Sequence, residues 1–195
     1  MNDITLKNIS KAFGEKSVLT DLNAVFEYGK ITVIMGESGC GKTTLINIIM
    51  GLEKPDSGDI SGIPEKISAV FQEDCLSEDF SAISNLRAVV GKRVSKSDIS
   101  ELLISFGLTE KDICSPVNQL SGGMKRRVAI ARALIAESGL IVMDEPFKGL
   151  DEETREKVAS IVEQNVRNTG RTLILITHDA EEADLIHADG IIRMS

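Results

Sequence analysis

The eight residues GESGCGKT at 36–43 constrain this chain more than any other stretch. They fit the pattern G-x-x-x-x-G-K-[ST], in which glycines let the backbone curl around a phosphate. Lys42 supplies a mobile positive charge for the outer phosphates, and the Thr43 hydroxyl is placed to ligand Mg²⁺. The pattern means little without a strand before it and a helix after it. Both are expected here. Lys30–Met35 is a short apolar, β-branched run that reads as a buried strand, and TTLINIIM reads as a helix closed by Gly51.

The rest of the chain reads as alternating short apolar strands and helices. Alternation at Ile4 and Leu6, and again from Val18 to Tyr28, predicts an antiparallel hairpin with its turn at 11–14. GLEKPDSGDISG reads as loop, and Ile67–Phe71 as strand. From about 73 to 138 the texture becomes helical. Ile99, Leu102, Leu103 and Phe106 share one helix face, bounded by Asp98 and Gly107. Val128, Ala131, Leu134 and Ile135 mark a second helix. GLIVMDEP then reads as a buried strand, Asp151–Asn165 as a helix with Asp151 as its cap, TLILITH as a strand, AEEADLIHA as a short helix and GIIRMS as a last strand. This order predicts an α/β domain with a mainly parallel sheet covered on both faces.

Three further stretches carry chemistry. Asp144 and Glu145 end a buried strand, the end at which open parallel sheets bind ligands. Asp144 is placed to hold Mg²⁺ and Glu145 to orient or deprotonate a water. His178 ends the strand expected beside the phosphate-loop strand, and is a candidate donor to an outer phosphate. LSGGMKRR at 120–127 puts a Ser-Gly-Gly turn at a helix start, a second place where free backbone N–H groups and the helix dipole favour an anion.

The 195 residues carry a net charge of −8, which argues against a broad basic face for nucleic acid. No apolar run approaches the ~20 residues of a membrane span. The start MNDITLKNIS has neither a basic n-region nor an apolar h-region, so no signal peptide is expected. Three dispersed cysteines fit reduced thiols. No zinc spacing and no N-K-x-D guanine motif is found.

These motifs, in this order, resemble the ATP-binding subunit of an ATP-binding-cassette (ABC) transporter along nearly the whole chain. The resemblance implies a P-loop NTPase fold in one domain, 1–195, with a nucleotide-binding core at about 1–72 and 139–195 and a helical subdomain at 73–138. It implies ATP and Mg²⁺ as cofactors. The nucleotide is then bound by the loop Gly36, Glu37, Ser38, Gly39, Cys40, Gly41, Lys42, Thr43 and Thr44, with Lys42, Thr43 and the 39–44 backbone holding phosphate and Phe13 and Val18 at the base. Thr43, Gln72 and Asp144 hold the metal; Glu145, His178 and Lys42 are catalytic. Ser121, Gly122, Gly123 and Met124 resemble the family's signature and Asp151 the loop crossing the dimer interface, so they serve ATP bound by a second copy of the chain. The implied partners are an integral membrane permease and an extracytoplasmic solute-binding protein, with no nucleic acid, and the chain itself is expected at the cytoplasmic face of the cell membrane as a peripheral subunit. Met124 stands where many members have Gln. With DEPFKGLDEETRE and THDAEEA, it is most similar to importers of nitrate, taurine and other sulfonates, or thiamine precursors. Export, or a non-transport ABC ATPase, is the alternative. Glu37, where that group often has Pro, is expected to point away from the anion.

Overall fold

The computed structural model describes residues 2–194. A twisted antiparallel hairpin, β1 (Ile4–Phe13) and β2 (Lys16–Phe26), opens the chain. Its turn falls at Gly14–Glu15, with Gly14 at φ 60°, rather than at 11–14. Register shifts between Leu6 and Ala12 break the alternation on which the turn was placed.

The second sheet is parallel throughout, in the order β5-β6-β7-β3-β8. Its strands are β3 (Ile31–Gly36), β5 (Ile67–Val70), β6 (Leu140–Asp144), β7 (Thr172–Thr177) and β8 (Gly190–Met194). The strand β4 (Ser57–Ser61) belongs instead to the first sheet, where it pairs antiparallel with β1. The sequence reads as loop there because four of its five residues are Ser, Gly or Asp and face solvent on an edge; only Ile60 packs inward.

Alternate residues of the parallel strands enter two different cores. Ile34, Val142, Ile174 and Ile176 pack with the β1–β2 sheet and with α1 (Lys42–Ile49). Val33, Ile141, Met143, Leu173 and Leu175 pack with α5 (Gly122–Ile135) and α6 (Glu152–Thr169). This two-sided burial is why the strands read as unbroken apolar runs. The phosphate-loop strand lies between β7 and β8, so the expectation that β7 neighbours it holds.

Residues 73–138 carry the remaining helices before α5: α2 (Ala82–Val90), α3 (Lys96–Ser105) and the short α4 (Glu110–Cys114), then a 3-10 turn at Val117–Gln119. The α3 helix starts earlier than expected. Ser95 is its cap and Asp98 reaches back to the Ser95 N–H, a reciprocal capping box. Asp151 caps α6 as expected, and the helix runs on to Gly170 at φ 63°. The helix α7 (Ala180–Leu185) precedes β8.

Candidate nucleotide-binding site

The carboxyl ends of three adjacent strands finish at one level. Met35 pairs with Thr177, and Ile176 with Asp144. The phosphate loop, the Asp144–Glu145 pair and His178 therefore emerge side by side, at the edge where α/β sheets take ligands. They line a cleft of about 640 Å³ that also includes Phe13, Val18, Ser38, Gly39, Gly41, Thr44 and Gln72. That volume suits a nucleotide-sized molecule.

The loop is shaped by close approach. A Cβ at Gly36 would lie 2.4 Å from the Met194 carbonyl, and one at Gly41 would meet Leu19 at 2.9 Å with φ at 99°. Gly41 also stands at the N-cap of α1, which carries no acid in its first turn and no side-chain cap. Its free N–H groups and dipole are left for an anion. Lys42 is buried, and its Nζ donates to the Gly36 and Glu37 carbonyls at 2.7 Å each, so it arches over the loop it belongs to. Glu37 turns its side chain out to solvent and, with Gly36 and Cys40, lines an adjacent groove rather than the main cleft.

The Thr43 hydroxyl donates to Asp144 Oδ2 at 3.1 Å. Burial is the main reason Asp144 titrates above its ordinary value, with the neighbouring Glu145 adding to it. A buried carboxylate and a hydroxyl meeting at the cleft floor form an oxygen-rich pair suited to Mg²⁺. Glu145 sits in the left-handed region at φ 47°, an uncommon conformation for a side chain of its size. Its N–H is anchored on the Ile176 carbonyl. Its Oε1 lies 2.9 Å from His178 Nδ1, and Lys148 Nζ is 3.7 Å from Oε2. Phe13 stands half-exposed at the hairpin tip with Lys11 Nζ 5.3 Å from its ring centre.

Ser121, Gly122, Gly123, Met124 and Asp151 do not line this cleft. Ser121 caps α5 by accepting from the Met124 N–H, again with no acid in the first turn. A Cβ at Gly122 would meet nothing within 4 Å, and one at Gly123 would touch Leu150 at 3.5 Å. The turn thus packs against the loop leading to Asp151 and leaves its backbone facing outward. Lys16 and Lys148 line the cleft and escaped sequence reading. Lysines abound on surfaces, and only the fold reveals which ones edge a site. For Lys148 the three-residue spacing from Glu145 was the available signal.

A family model described as ABC transporter matches residues 19–148. This chain belongs to the ABC transporter family. This ABC cassette is 38% identical over 188 residues to an aliphatic sulfonates import ATP-binding protein of Rhodopseudomonas palustris, covering 92% of the chain and 66% of that relative. It is 40% identical to a taurine import ATP-binding protein of Pelagibacter ubique, covering 95% and 76%. Among solved structures it superposes on the dimeric ABC transporter cassette MJ0796 with a TM-score of 0.86, at 32% identity, over 98% of this chain and 94% of that one. A post-hydrolysis dimer of the same cassette, bound to ADP and Pi, matches equally well. The cassette fold and the family expected from the motifs are therefore those found. Among the described residues no helix is long and apolar enough to cross a membrane.

Proposed function

We propose that this chain is an ATPase that works as a head-to-tail pair and drives import of a small solute through a separate membrane protein. The observation that carries it is the Glu145–His178 pair set beside Lys42 and the Thr43–Asp144 pair in one cleft. In this reading the N–H groups of 39–44 and Lys42 hold the phosphates of ATP. Thr43, Gln72 and Asp144 would hold Mg²⁺, which when bound neutralises phosphate charge. Glu145 accepts a proton from the attacking water, and His178 holds the Glu145 carboxylate in place while its ring faces the outer phosphate. Phe13 and Val18 flank the base. The nucleotide-binding core comprises about 1–72 and 139–195, and about 73–138 forms the helical subdomain.

The second half of each site would come from Ser121, Gly122, Gly123 and Met124 of the other copy, with Asp151 at the seam. The outward-facing glycine backbone, which nothing in one chain fills, supports this. The sulfonate and taurine relatives, each an import ATP-binding protein, support import. In this reading the chain sits at the cytoplasmic face of the membrane against an integral permease, with a solute-binding protein on the other side.

Light scattering on Glu145→Gln, with and without ATP, tests the proposal. The variant is expected to bind ATP, lose steady-state hydrolysis and shift from monomer to dimer when ATP is added. Undiminished hydrolysis would remove Glu145 from its role.

A further inference from the structure

The basic run after the Ser-Gly-Gly turn is not a solvated face. Arg126 is 6% exposed. Its Nη1 donates to the Phe71 carbonyl at 2.6 Å and its Nη2 to the Gln72 carbonyl at 2.8 Å. Asp74 Oδ1 lies 3.1 Å from the same Nη1 and balances its charge. Gln72 follows β5 in a segment with no helix or strand until α2, and its side chain is exposed to the nucleotide cleft. A planar guanidinium reaching two successive carbonyls fixes both the position and the orientation of that backbone, which a lysine cannot do. Arg132, further along α5, takes the carbonyls of Asp74 and Cys75.

We propose that Arg126 is a positioning residue that sets Gln72 toward the metal subsite and ties it rigidly to the helix whose start carries Ser121, Gly122 and Gly123. The nucleotide cleft of one chain and the turn it offers to its partner then move as one body. This rests on the ATPase reading, and on Gln72 as a ligand of Mg²⁺.

The test is the equilibrium affinity for ATP of Arg126→Lys, measured in EDTA and again in Mg²⁺. Lysine keeps the charge beside Asp74 and gives up the two-carbonyl grip. The gain in affinity that Mg²⁺ confers is expected to shrink about tenfold, the usual cost of losing an outer-shell support, with affinity in EDTA unchanged. Arg132→Gln, which frees only the Asp74 and Cys75 carbonyls, is expected to keep the full gain. Arg126→Lys with the wild-type gain, or with equal losses in EDTA and in Mg²⁺, overturns the proposal, as does an equal effect of Arg132→Gln. Should Arg126→Lys fail to fold, Arg126→Gln is measured in the same way. A wild-type chain that binds no ATP in either condition would instead overturn the ATPase reading itself.

Discussion

The helix starts of α1 and α5 both lack an acid and both carry glycine, and they are built differently. The start of α1 is enclosed. Gly41 in the left-handed region, Lys42 folded over the loop and Asp144 behind Thr43 make a cleft within one chain. The start of α5 is open, with its glycine backbone turned outward and its Ser121 oxygen accepting from the Met124 N–H, which leaves the O–H able to donate. For contrast, α6 begins with Glu152 and Glu153, which occupy its dipole and repel an anion. The difference teaches that an enclosed helix start can hold an anion with groups of its own chain, whereas an open one presents its N–H groups to whatever approaches from outside, as the proposed pairing requires.

The largest effect that would break this comparison is expected at the enclosed end. Lys42→Ala should weaken ATP binding by about 100-fold or more, since charge-assisted contacts to phosphate are lost; isothermal titration reads it. At the open end, Ser121→Arg should leave the affinity of the single chain for ATP unchanged, yet lower hydrolysis by about 100-fold by denying the partner's phosphate its donors. If Ser121→Arg weakens binding as much as Lys42→Ala does, the two starts serve one site and the contrast fails. Mixing the two variants sharpens it: a mixed pair holds one intact composite site, so hydrolysis should partly return, whereas two independent sites would give no recovery.

The smallest effect concerns stability. Burial raises the folded-state pKa of Asp144 above its unfolded value. Its ionised form therefore costs stability at neutral pH, and that cost disappears as pH falls through the folded pKa. Asp144→Asn keeps an acceptor for Thr43 and removes the charge. It should raise the ligand-free melting temperature by roughly 2–4 °C at neutral pH, with no gain at a pH low enough to protonate the acid, while abolishing hydrolysis. A melting temperature unchanged at neutral pH would mean that the carboxylate is already compensated. Such a trade of stability for function is common at sites that concentrate charge.

Much of this was legible in the chain itself. The strand–loop–helix around GESGCGKT, the apolar strands buried on both faces, and the caps at Asp151 and Gly51 follow from local pattern. Local pattern failed at β4, whose polar residues are strand only because β1 offers them a partner. It also failed at α2, where Leu86 and Val90 find a core that lies far away in sequence. The same holds for the basic run at 125–127, which by itself looks like surface. Only the packing of α5 beneath residues 71–75 turns Arg126 inward.

The sequence alone determined which residue types stand at each strand end, because phosphate chemistry demands glycine, lysine and paired carboxylates at set spacings. Tertiary structure decided which of them meet. The order β6-β7-β3 brings Asp144, His178 and Lys42, far apart along the chain, to one edge, while it leaves Ser121 outside. That outcome depends on parallel pairing and on the registers of β6 with β7 and β7 with β3, which are long-range choices made by burying both sheet faces and are written in no single stretch of residues.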